Sequence, residues 1–308
     1  MSQRIAGPGT LAEQTPPPRS AGGLSRPAEV LLGIITSKKA MFGILVILMV
    51  VICAVFSPWI APHDPAAQSL AFRLAPMFST APDGTFHLLG TDHLGRDVLS
   101  RAIYGARVGL IVGLSVALIA TFIGVTIGLV AGYFGGWIDA VLMRLCDVQL
   151  ALPAILLAIA ILAITGVSLL NIVLILALTQ WVAFARVVRS ATLSEREKEY
   201  VLAARALGFG SARIIYRYIL PNVFAPIIVI ATFAVAQAII IEAALSFLGL
   251  GISGATPSWG AMLADGRTYL AIAPSLATIP GLFITLSVVG INLFGDWLRD
   301  FLDPKLKM

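Results

Sequence analysis

Charge is scarce in this sequence. Only 12% of its 308 residues are Asp, Glu, Lys or Arg, about half the roughly 25% of a soluble globular chain, which excludes an ordinary soluble enzyme. Cysteine is scarce too. Cys53 and Cys146 are the only two, each in or beside an apolar run, so neither a disulfide framework nor a thiolate metal site is expected. Cys53 follows Val50-Val51-Ile52, and a bulky Ile in front suits a packing cysteine better than a lipidated one. No lysine follows a glycine, so the chain lacks the Gly-Lys-Ser/Thr loop that cradles phosphate in an ATP hydrolase.

Long apolar runs are abundant instead. Hydrophobic residues make up 58% of the chain and the mean hydropathy is +0.95. The runs fall near residues 41–61, 106–131, 139–164, 169–189, 223–248 and 276–296, each long enough to cross about 30 Å of hydrocarbon at about 1.5 Å per residue. The expected fold is an all-α membrane protein with six transmembrane helices. Residues 1–36, rich in Gly, Pro, Ser and Ala, read as a disordered tail. The first run follows Lys38-Lys39 and is too long and too far along the chain for a cleaved signal peptide, so it reads as an uncleaved anchor.

An even number of spans puts both termini on one side. With the termini inside, only Arg73, Arg96, Arg101, Arg107 and Arg267 of the 21 Lys and Arg lie outside, so both termini are expected in the cytoplasm. The net charge of +5 is this loop bias and gives no reason to expect nucleic acid. In the second run Gly105, Gly109 and Gly113, then Gly124, Gly128 and Gly132, recur at every fourth position. They read as one repeated small-residue face for close helix packing, within the chain or against another subunit.

Three places invite a chemical reading. His87, Asp92, His93 and Asp97 could be drawn as a metal cluster, but they lack a recognised ligand spacing and no metal is expected. Gly251-Ile252-Ser253-Gly254 is similar to the nucleophile segment of intramembrane serine proteases, whose serine needs a histidine base. His63, His87 and His93 all fall in the expected outer loop, so a glycine-rich helix end is the better reading. Glu242 is the acidic residue well inside a span, a pathway or helix-packing candidate. An ion-coupled carrier acting alone would depend on it.

The loop 190–222 is long for a simple connection. Ser194 with Glu197 three residues on is a capping-box pattern, and Glu195, Glu197 and Glu199 suit a helix N-terminus. The expectation is a helix from Ser194 to a stop at Gly208, then a second short helix capped by Ser211 and running towards Leu220-Pro221. Ala203 and Ala204 are small enough to admit a partner's backbone, although such a basic hairpin could equally rest on anionic lipid.

Ala203-Ala204, three residues, Gly208, nine residues and Tyr218-Ile219-Leu220-Pro221 resemble the signature loop of binding-protein-dependent ABC importer permeases. Leu202 and Tyr218 stand where that pattern has Glu and Ile. The segment from His87 to Arg101, Pro257-Ser258-Trp259-Gly260, Gly295-Asp296 and Asp303-Pro304 resemble the C-type subunit of the dipeptide, oligopeptide and nickel importers. The resemblance implies a first helix and external segment over 37–104 and a five-helix transporter domain over 105–308. It implies a non-catalytic subunit for di- or oligopeptides, with nickel or another small solute as the alternative cargo. Its partners would be a second permease, two cytoplasmic ATPases that bind ATP and Mg, and an external binding protein. Glu199, Ala203, Ala204, Gly208, Leu220 and Pro221 would form the ATPase-coupling loop, with Glu242, Gly109, Gly113, Gly124 and Gly128 serving the pathway or bundle packing. No cofactor is expected on this chain itself.

Overall fold

The computed structural model describes residues 33–252 and 256–302. Most of the expected tail, Ser253 of the protease-like segment and the Asp303-Pro304 pair lie outside the described residues. Residues 33–36 are helical, so the tail boundary at 36 falls inside structure.

The main helices are α1 (Lys38–Ile60), α2 (Val98–Phe134), α3 (Gly136–Leu150), α4 (Ala154–Thr165) and α5 (Leu169–Arg196), followed by α6 (Glu199–Ala206) and α7 (Ser211–Ile214). After these come α8 (Phe224–Leu245), α9 (Trp259–Arg267) and α10 (Ser275–Leu302). Five are long and apolar enough to cross a membrane, or six if α3 and α4 count as one bent span. A two-stranded ribbon, β1 (Ser79–Thr80) and β2 (Phe86–His87), lies in the loop between α1 and α2.

Local chemistry sets the helix starts. The Ser37 side chain accepts from Ala40 N at the head of α1, Asp97 from Ser100 N (2.7 Å) at α2, and Ser168 from Asn171 N (3.1 Å) at α5. Each satisfies an amide that the first turn leaves without a partner. Gly135 and Gly136, at φ of 65° and 55°, turn the chain from α2 into α3 through the left-handed region open to glycine.

The helix α2 is the central post. It contributes buried side chains to all four apolar clusters, from Val98 and Ala102 at one end to Leu129 and Tyr133 at the other. With 37 residues it is about 55 Å long, so its first turns extend beyond the expected start at 106. Its most extensive contact is with α5, which runs parallel to it.

The glycine runs do not share one face. Gly105 and Gly109 lie against Trp259 of α9 and Gly113 against Val235 of α8, whereas Gly124, Gly128 and Gly132 lie against α5 between Trp181 and Thr192. The reason is the pitch: each step of four residues advances about 40° at 3.6 residues per turn, so Gly105 and Gly132 point to opposite sides.

Two further expectations need correction. The run 139–164 is not one straight helix, because α3 and α4 meet at 82° across Ala151-Leu152-Pro153. Pro153 cannot donate to a helix continuing through it. The helix predicted to begin at Ser194 does not begin there. Instead α5 continues to Arg196, and the next helix starts at Glu199 after Lys198. Thr192 is packed under Gly132 and Glu195 is buried, so tertiary contacts outweigh the local capping pattern. Between the runs 223–248 and 276–296, α9 is a short helix packed beside α8 and α10.

Candidate functional site

The bundle presents two built ends and a groove between them. At the loop end, Asp92 Oδ1 accepts from the backbone amides of Leu94 and Arg96, both at 2.9 Å. Its Oδ2 pairs with Arg96 Nε at 2.6 Å and Arg101 Nε at 3.5 Å. Arg96 also reaches Asp265 of α9 at 3.4 Å, which ties the loop to that short helix. His93 stacks on Tyr269 with centroids 5.6 Å apart.

His87 belongs to a different group. Its Nδ1 lies 2.8 Å from Asp97 Oδ1, and the His63 ring packs edge-on against it at 4.7 Å. Ligand atoms of His63, His87 and Asp97 fall within 4.8 Å of one another. Thus the four residues first drawn as a metal cluster divide between two sites, and His63 joins from 24 positions upstream of His87. Here the three groups close the loop: His63 Nε2 meets Phe86 O at 3.0 Å and Asp97 Oδ2 caps α2.

At the opposite end α6, α7 and the turns Ile215–Ile219 and Leu220–Asn222 form a helical hairpin. Val201, Ala204, Ile214, Ile215 and Ile219 are buried with Leu129, Tyr133 and Val188. Ala203 and Ala204, adjacent in sequence, have different surroundings: Ala204 is 3% exposed in this core, whereas Ala203 is exposed. Successive helical residues point about 100° apart, so one alanine anchors the hairpin while the other faces outward. Leu202 (46%), Leu207 (73%) and Tyr216 (63%) are also exposed. Gly208 ends α6 at φ +77° with open space around it. Glu199 and Pro221 are exposed and Leu220 is half-buried.

Glu195, missed as a structural residue, is 7% exposed and accepts from Lys198 Nζ and the Tyr200 hydroxyl. Burial first, and then the hydrogen bond to Glu195, push the Tyr200 phenol well above its usual range. Arg196 Nη1 donates to Gly132 O at 2.8 Å, fixing the hairpin's root to the end of α2.

Glu242 faces inward near the loop end of α8. Its Oε1 accepts from Ser246 Oγ at 2.7 Å, and the Ser258 hydroxyl bonds the same carboxylate. Ser258 also caps α9, so Glu242 ties α8 to the start of α9.

A groove runs along the bundle between these ends. A cavity of about 220 Å³ at the α3–α4 break shares Ala154 and Thr179 with one of about 340 Å³ lined by Gln180, Phe233 and Gln237. That one shares Ile230 and Phe233 with a third, of about 500 Å³, which reaches Asn222 and Arg299 at the hairpin end. Gln149, Thr179, Gln180 and Gln237 were not singled out from sequence. Their signal is an amide or hydroxyl within an otherwise apolar span, which is costly there and calls for a partner.

The family model of the binding-protein-dependent transport system inner membrane component matches residues 124–308. The chain belongs to this family. A second model, the N-terminal transmembrane domain of oligopeptide transport permease C, matches residues 30–76 of the permease. The di/tripeptide transport system permease protein of Pseudomonas aeruginosa is 47% identical over 271 residues, covering 88% of this chain and 89% of that one. The dipeptide transport system permease proteins of Escherichia coli K12 and Alkalihalophilus pseudofirmus are 46% and 42% identical over the same length. These cover 88% of this chain and 90% and 87% of their own. The protein is therefore a multi-pass inner-membrane permease of this transport class.

Proposed function

We propose that this permease is the transmembrane subunit of an ATP-driven importer for di- and oligopeptides, contributing half of the translocation pathway beside a second, related permease. The relatives named for dipeptide and di/tripeptide transport support the cargo. An external binding protein delivers the peptide, and two cytoplasmic ATPases supply the work.

The hairpin over residues 199–222 is the ATPase docking surface. One observation carries this: an exposed apolar face of Leu202, Ala203 and Leu207 stands on a hairpin whose other face is locked into the bundle through Ala204, Ile214 and Ile219. Apolar side chains facing water on a rigid mount suit insertion into a partner's groove. The basic bias of the hairpin and both termini supports a cytoplasmic position for that end.

The test is co-purification of the ATPase with the tagged permease in mild detergent. Leu207→Asp and Ala203→Arg alter only the exposed face, so the expected result is normal permease yield with ATPase recovery reduced at least tenfold. Gly208→Val strains a left-handed position at about 1–2 kcal/mol, and is expected to lower peptide uptake more than ATPase recovery. Full ATPase recovery with both face variants would overturn the docking assignment.

A further inference from the structure

The groove at the α3–α4 break carries an inference beyond docking. Three observations meet there. First, the apolar pair α3 and α4 bends by 82° about midway along its length, and a helix end leaves its last carbonyls without partners in its own helix. Irregular backbone at membrane depth is tolerated against protein or a polar cavity, and discontinuous helices mark substrate sites in transporters. Second, Gln149, in the last turn of α3, bonds α5, accepting from Trp181 Nε1 at 2.7 Å and donating to Leu178 O. This fixes the broken helix beside Thr179 and Gln180. Third, the buried Nε2 of Gln180, which lines the groove, has no hydrogen-bond partner among the described residues. A buried amide left unpaired costs free energy that a ligand acceptor would recover.

The depth is consistent across elements. Gln180 stands about 16 Å from the start of α5 and Gln237 about 20 Å from the start of α8 at 1.5 Å per residue, and these two helices carry both amides into one cavity. Its lining, and that of the cavity at the break, contains no Asp, Glu, Lys or Arg; Arg299 appears only at the hairpin end.

We propose that Gln180, Gln237 and Thr179 at the α3–α4 break form this subunit's share of a cargo-binding site that holds a peptide by its main-chain amides and carbonyls. This deepens the peptide-import reading above and rests on it. A carboxamide both donates and accepts, so it matches a peptide bond in either orientation. Without fixed charge, the site does not distinguish acidic from basic side chains. The apolar walls, Phe233 and Ile241 among them, accept side chains of varied size.

The experiment uses the complete importer in liposomes, with its binding protein and ATPases, and measures ATP-driven uptake of Ala-Ala, Glu-Glu and Lys-Lys. Gln180→Leu and Gln237→Leu should each reduce uptake of all three at least tenfold, while the complex still assembles in full yield. Gln237→Glu separates a cargo contact from a packing role: it should depress Glu-Glu uptake at least tenfold relative to Lys-Lys, a change of preference that loose packing would not produce. Uptake within twofold of wild type in the Leu variants, or an unaltered Glu-Glu to Lys-Lys ratio in Gln237→Glu, would overturn the site. A wild-type complex that carries no peptide would overturn the peptide reading itself. Wild-type uptake with indifferent variants would sink the groove assignment alone.

Discussion

Asp92→Ala is expected to cost about 3–5 kcal/mol, the loss seen when one partner of a buried ion pair is removed. Its carboxylate accepts two backbone amides and faces two guanidiniums, Arg96 at 2.6 Å and Arg101 at 3.5 Å. Both arginines are almost fully buried. Without Asp92, the remaining acid within reach of Arg96 among the described residues is Asp265, 3.4 Å away and with a side chain 43% exposed. One partly screened carboxylate cannot neutralise two buried cations. The melting temperature of the purified subunit should fall by roughly 10 °C, on the order of 2–4 °C per kcal/mol. Asp265→Ala is the control, and an exposed partner of this kind is worth about 1 kcal/mol or less. Equal melting shifts for the two variants would show that the loop end is not organised around Asp92.

Gly128→Leu is expected to abolish folded permease in the membrane. A Cβ at this position would stand 2.7 Å from Ala185 O and 2.8 Å from Val188 Cβ, both fixed parts of α5. Neither can yield, so α2 and α5 must separate. In lipid, close backbone approach is itself the attraction between helices. Even Ala there should cost about 1–3 kcal/mol by overpacking. At Gly109 an added Cβ meets the edge of the Trp259 ring at 3.3 Å, and a ring can tilt, so Gly109→Ala should cost about 1 kcal/mol or less. Monodisperse protein recovered after size exclusion distinguishes the two positions. Similar recovery of Gly128→Leu and wild type would show that the α2–α5 contact is not required.

Much of this bundle is legible in the sequence because hydrocarbon is a demanding solvent. Runs such as 41–61 and 223–248 must be helical and roughly as long as the bilayer is thick, and α1 and α8 occupy them with small shifts at the ends. The break at Leu152-Pro153 was hidden because α3 and α4 together still average apolar enough for a span, so hydropathy reads through a change of direction. Ser194 shows the opposite failure. Its capping pattern is sound locally, yet the packing of Thr192 on Gly132 and the burial of Glu195 carry α5 past it. At the hairpin, sequence spacing locates the motif but cannot say which of Ala203 and Ala204 faces out, since that depends on where Ile214 and Ile219 close the core. The groove was least visible. Its glutamines come from segments more than 50 positions apart, and only the fold brings Gln180 and Gln237 to one wall.

The unbroken course of α2 has a mechanical consequence. Its N-terminal cap, Asp97, is bonded into the loop between α1 and α2, and its last turn is held by Arg196 at the root of the hairpin. An intact helix is stiff along its axis, and α2 carries no proline among its 37 residues at which to flex. A push on the hairpin therefore has nowhere to dissipate along this strut. It would emerge at the far end as a displacement of the loop and of α9, whose Trp259 packs on Gly105 and Gly109, so the two ends of the subunit are coupled through one stiff element.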